Sequence, residues 1–103
     1  MSIIELHKNA VIELCKQHHV KSLYVFGSAL RKDFKADSDV DFSVLFDRNI
    51  LNTPEDFGEN YLDFILKLEK EFKREVDVVN EENIKNPYFA NVLNRTKQLL
   101  YAA

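Results

Sequence analysis

The sequence predicts a domain of mixed helices and short strands, and three observations carry that prediction. Apolar residues recur at helical spacing in three stretches, near the start, the middle and the end of the chain. Three short runs rich in valine, phenylalanine and tyrosine lie between them and suit strands. Gly and Pro are scarce, at two each among 103 residues, so little sequence is left for linkers or disorder. One domain spanning residues 1–103 is expected, long enough to bury a single core.

Taken in order, Ser2 and Glu5 fit a capping box that opens the first helix. Ile4, His7, Val11, Leu14 and Cys15 then recur on one face, and the helix is expected to end near Gln17 or His18. His7, His18 and His19 show no metal-ligand spacing and read as surface or helix-end residues. Cys15 reads as a small buried hydrophobe. The first strand is expected over Ser22–Phe26, followed by an excursion over Ala29–Ser38, and the second strand over Asp39–Phe46.

Thr53-Pro54-Glu55-Asp56 announces the middle helix: a Thr N-cap, proline at the first helical position and acids in the first turn. Its stripe is Phe57, Tyr61, Phe64, Ile65, Leu68 and Phe72, and its end is expected near Lys73. Glu75–Val79 is the third strand, and Glu81–Asn86 a polar turn or short helix. Asn86-Pro87 caps a last helix, expected to bury Phe89, Val92, Leu93, Thr96, Leu99 and Leu100. Tyr88 and Tyr101 are left over as candidates to cover a partner, so a homo-oligomer is one expectation.

The chemistry gathers around the first two strands. Asp39 and Asp41 stand one residue apart where the second strand begins, so within a strand they share a face. Their Cα atoms then lie about 6.5–7 Å apart. Val40, Phe42, Val44 and Phe46 take the opposite, wholly apolar face. Carboxylates converging from one face can share divalent cations, and two cations about 3.5–4 Å apart can clamp the attacking and leaving oxygens of a nucleotidyl transfer. A lone Asp-x-Asp is also compatible with an acidic loop running into a strand.

Gly27-Ser28 sharpens the choice. Glycine lets a ligand approach the main chain, and the N–H groups at a following helix start favour an anion. Arg31 adds a fork suited to phosphate. Lys32 and Lys35 are weaker candidates, because alternating charges there fit a solvated loop. Asp77 is an acid inside a β-branched strand; an exposed sheet face, a salt bridge or a functional site would each accommodate it.

Gly27-Ser28, ten residues, then Asp39-Val40-Asp41 resembles the GS-x10-DxD signature of the DNA polymerase β-like nucleotidyltransferase superfamily. The phrase Phe26-Gly27-Ser28-Ala29-Leu30-Arg31 with Ser38-Asp39-Val40-Asp41 most resembles its minimal nucleotidyltransferases. The resemblance implies an α+β fold with a small mixed β-sheet flanked by helices. It implies Mg²⁺ at Asp39 and Asp41, with Asp77 as third metal ligand or general base. Gly27, Ser28 and Arg31 would bind the nucleotide.

The implied reaction moves AMP from ATP to an acceptor hydroxyl, although no residue pattern singles out a base. Members of the minimal group resemble antitoxins paired with a HEPN-domain RNase toxin whose tyrosine they adenylylate, and that role is expected here. Two alternatives stand beside it: a binding subunit that neutralises its partner by contact, and a nucleotidyltransferase acting on small molecules.

Composition excludes other classes. The net charge of −3 argues against gripping long nucleic acid. No apolar run suits a membrane span, no secretory leader is expected, and one cysteine forbids an internal disulfide. A cytoplasmic location is the expectation.

Overall fold

Val20–Phe26 (β1) and Val40–Phe46 (β2) are the central strands, and every second residue from Leu23 to Val25 and from Val40 to Phe46 is apolar and enclosed, lining one inner face. Leu23, Val25, Val40, Phe42, Val44 and Phe46 form this inner face. The computed structural model describes residues 3–27 and 39–103. The Ser2 cap and the excursion over Ala29–Ser38 therefore lie outside the described residues.

Two helices cover the inner face. Ile3–Gln17 (α1) contributes Ile4, Val11 and Cys15 to the core. Burial pushes the Cys15 thiol up to about 12, so it behaves as a hydrophobe. Pro54–Phe72 (α2) starts as its sequence demands: the Thr53 hydroxyl accepts from the Asp56 amide at 3.1 Å, with proline in the first turn. It stops at Lys73, which takes a left-handed conformation and donates its amide to the Glu69 carbonyl. Phe46 meets Phe57, Tyr61 and Phe64 of α2 with ring centroids 5.6, 5.5 and 5.8 Å apart. Phe42 meets Phe72 at 5.7 Å.

After α2 the chain returns as Val76–Asn80 (β3), which pairs parallel with β2, while β1 and β2 are antiparallel. A helical crossover is what a parallel neighbour requires. A single 3-10 turn over Glu81–Asn83 and a third helix, Pro87–Thr96 (α3), follow. The Asn86 side chain caps α3 by accepting from the Tyr88 and Phe89 amides.

The end of the chain departs from the expected helix. α3 stops at Thr96, and Gln98–Ala102 forms a fourth strand, β4, antiparallel to β1. Lys97 turns extended and donates its amide to the Leu93 carbonyl, which closes the helix. The free flank of β1 offers backbone partners that a continued helix would leave unused. Leu99 is therefore half-exposed on a strand, and Leu100 and Tyr101 pack against the core from β4. Tyr101 is thus committed to the core, whereas Tyr88 is 77% exposed.

Among the described residues the sheet runs β3-β2-β1-β4 and is mixed, so the fold is α+β, with four strands and three α-helices in that part. No helix among the described residues is long and apolar enough to cross a membrane.

Two of the histidines tie α1 to α2 instead of lying loose on the surface. His7 Nδ1 lies 2.6 Å from Glu71, and buried His18 lies 2.7 Å from both the Leu14 carbonyl and the Asp63 carboxylate. His18 and then Lys67 beside Asp63 hold its carboxyl below the ordinary carboxylate range.

Candidate active site

The parallel pairing of β2 with β3 decides which acids meet. Asp41 is in register with Asp77, each the second residue of its strand. In-register residues of neighbouring strands lie on one face, with strands about 4.8 Å apart. Val40, Phe42 and Val76 are buried on the helix-covered side, so both aspartates point to the other side. Adjacent carboxylates repel, and such an arrangement costs stability unless a cation or donors sit against it.

The third strand end arrives from the opposite direction. Phe26, the last residue of β1, pairs with Asp41, so the turn that follows lies over the same carboxylate. Gly27 has φ +73°, a left-handed conformation that favours glycine. A Cβ at Gly27 would overlap Asp41 Oδ2 and sit 3.2 Å from Asp41 Cγ. Glycine is thus required twice, by backbone conformation and by the acid packed against it.

Of the residues marked out by sequence, Gly27, Asp41 and Asp77 are brought to one end of the sheet. Asp39 is exposed and sits one residue before β2, so it approaches the strand instead of belonging to it. Ser28 and Arg31, like Lys32 and Lys35, lie outside the described residues.

Among the described residues no three acidic, imidazole or thiol side chains are gathered closely enough to hold a metal ion alone. That arrangement still fits Mg²⁺. The ion favours hard oxygen ligands, keeps several waters, and is commonly held by one or two carboxylates plus substrate phosphates. Asp41 and Asp77 are two carboxylates of that kind, in register on one face of the sheet.

Sequence reasoning missed the polar group beside this pair. Ser43 follows Asp41 on the same face and is completely buried. Its hydroxyl donates to Glu81 at 2.7 Å, and Lys97 Nζ lies 3.0 Å from the same Glu81 oxygen. Lys97 also sits 3.9 Å above the Tyr24 ring. This set ties the end of α3 across the sheet to β1, β2 and the turn after β3. A serine within an apolar strand, two residues from an aspartate, was the available signal.

A cavity of about 500 Å³ opens beside Asp41 and Gly27, walled by Phe26 and by Phe89, Val92, Leu93 and Thr96 of α3. Those four α3 residues belong to the stripe that the sequence assigns to the core. Only Leu93 among them is fully buried.

The sequence matches the family described as "Polymerase beta, Nucleotidyltransferase" over residues 9–103. A protein of Methanocaldococcus jannaschii, named as a candidate protein adenylyltransferase, is 38% identical over 86 residues, covering 84% of this chain and 79% of its own. Among solved structures, a candidate minimal nucleotidyltransferase superposes with a TM-score of 0.73 at 26% identity, covering 95% of each chain. The MNT antitoxin fold also matches. A complex described as a tri-AMPylated Shewanella oneidensis HEPN toxin with MNT antitoxin gives a TM-score of 0.64 at 19% identity, covering 96% of this chain and 72% of the other.

Proposed function

Because the chain belongs to the polymerase beta nucleotidyltransferase family, we propose that it is a Mg²⁺-dependent adenylyltransferase that modifies a protein hydroxyl. The observation that carries this reading is Asp41 paired in register with Asp77, with Gly27 pressed against Asp41. In this reading the acceptor is a tyrosine of a HEPN-domain RNase toxin, and the protein is its antitoxin. The adenylyltransferase name of the relative and the AMPylated toxin in the neighbouring complex support it.

Each residue then has a task. Gly27 lets the triphosphate approach the main chain, with Ser28 and Arg31 as hydrogen-bond donors to its phosphates. Asp41 and Asp77 would hold Mg²⁺, with Asp39 approaching from one residue before β2, and the ion would offset charge on the phosphate oxygens. The acceptor oxygen forms a bond to the α-phosphorus as the bond from that phosphorus to the bridging oxygen breaks. Pyrophosphate carries away the electron pair. In this reading Asp77, the exposed member of the pair, either completes the metal site or takes the hydroxyl proton.

The test is intact-mass spectrometry of the HEPN partner after incubation with this protein, ATP and Mg²⁺. One added AMP per modified tyrosine is expected, absent with the Asp39→Asn, Asp41→Asn double variant. An unmodified partner that is nevertheless bound and silenced would replace catalysis with neutralisation by contact.

A further inference from the structure

The geometry points to a homodimer in which the α2 helices of two copies of this chain pack antiparallel along their outer faces. The inference stands apart from the adenylyltransferase reading, because α2 covers the side of the sheet opposite to Asp41 and Asp77.

α2 is committed on three sides. Phe64, Leu68 and Phe72 are buried against the sheet. On the flank toward α1, Asp63 and Glu71 meet His18 and His7. On the flank toward β3, the Tyr61 hydroxyl donates to the Val78 carbonyl at 2.8 Å, and the Glu69 carboxylate accepts from the Val76 amide at 3.3 Å. What remains is the outer stripe. Glu55, Glu59, Leu62, Leu66, Lys70 and Lys73 recur at steps of four, three, four, four and three residues, close to the 3.6-residue turn, and all six are exposed. At its centre Leu62 is 59% and Leu66 54% exposed, so the core of the domain makes little use of either.

Charge decides what covers the two leucines. The stripe is acidic toward the start of α2 and basic toward its end. Among the described residues the ion pairs of α2 use Asp63, Lys67 and Glu71 and leave Glu55, Glu59, Lys70 and Lys73 open. The helix macrodipole favours that charge order, but it gives no reason for two leucines in water between the charges. A second copy laid antiparallel accounts for both. A twofold axis at the level of Phe64 sets Leu62 against Leu66 of the second copy, and Leu66 against its Leu62. The same axis brings Glu55 and Glu59 to Lys73 and Lys70 of the second copy, and the reverse by symmetry. A parallel pairing would set acid on acid and lysine on lysine. The product is an apolar centre with a charged rim.

The seam is one helix long, about 28 Å, which places it at the small end of protein interfaces and makes the dimer reversible. Both acid-bearing faces point outward from it, so each candidate active site stays open to its own acceptor.

The test is sedimentation equilibrium of the whole chain over a concentration series. Wild type should show a monomer–dimer equilibrium that weakens as salt is raised. Leu66→Glu, which sets a charge against the partner leucine, should raise the dissociation constant at least about tenfold. Glu59→Lys and Lys70→Glu should each weaken the dimer, and the two changes together should restore it to within about threefold of wild type. All three positions are exposed, so each variant should keep the helical circular dichroism of the wild type.

A wild type that stays monomeric at every concentration would overturn the proposal. So would a dimer indifferent to Leu66→Glu, or one that the combined charge exchange fails to restore, since either removes the antiparallel seam. If wild type is monomeric and Leu66→Glu instead abolishes binding of a HEPN partner, the face belongs to that partner and the homodimer falls.

Discussion

The two faces of the sheet obey different rules. The face under α1 and α2 carries Leu23, Val25, Val40, Phe42, Val44 and Phe46, all buried, and two histidine–carboxylate contacts clasp the helices above it. The opposite face carries Asp41, Asp77, Ser43 and Tyr24, with Glu81 and Lys97 reaching in from flanking segments. One face stabilises by removing apolar area from water; the other concentrates charge that stability alone does not need. The strands serve both because side chains alternate at every residue.

The sharpest break to that contrast is Phe46→Ala. It removes a ring that packs against three aromatic neighbours in α2. We expect a loss of about 3–5 kcal/mol in urea unfolding, the usual range for a buried Phe→Ala change. A loss under about 1 kcal/mol would mean that this face is not the core.

A pair of glycines sharpens the contrast further. Gly27→Ala places a methyl group on the Asp41 carboxylate at a left-handed backbone, costing about 1–3 kcal/mol. It also displaces the acid, so nucleotide transfer should fall with stability. Gly58 lies in α2 with open space around the position of its absent Cβ. Gly58→Ala should raise stability by about 0.4–1 kcal/mol, with transfer unchanged. Denaturant melts and an AMP-transfer assay on both variants check the pair.

The smallest effect concerns the clasp. Asp63 has its carboxyl pKa lowered by His18 and then Lys67, so its charged form is favoured in the folded state. The sign follows: its stabilisation is present above the ordinary carboxylate pKa and is lost as pH falls through the lowered folded value. The melting-temperature gap between wild type and Asp63→Asn should be widest near neutrality and close in acid. A gap that persists in strong acid would remove the ionic account.

The sequence was most legible where one force dominates. A short apolar run marked β1, alternation marked β2, and proline with a Thr cap marked α2. The Asp41 and Gly27 motif was visible, but its meeting with Asp77 depends on strand order, which local periodicity does not encode. β4 was hidden because Leu99 and Leu100 continue the helical spacing of α3, and no glycine or proline marks the stop at Lys97. Short apolar runs of that kind fit helix or strand, and the unpaired flank of β1 decides. The cavity was hidden for a related reason: Phe89 and Val92 look like core in sequence, yet they face a gap beside the acids. His18 read as a surface residue because its partner, Asp63, lies on another helix.

The most direct test of the account is to measure AMP transfer and thermal melting together for Asp41→Asn and Asp77→Asn. Losing electrostatic stabilisation of several kcal/mol should cut transfer at least about a hundredfold in each. Melting should shift by less than about 4 °C, as for polar changes outside the core. Full transfer by either variant would contradict its place in the chemistry. A collapse of melting would show that the acids serve the fold, and that the two faces are not divided as described.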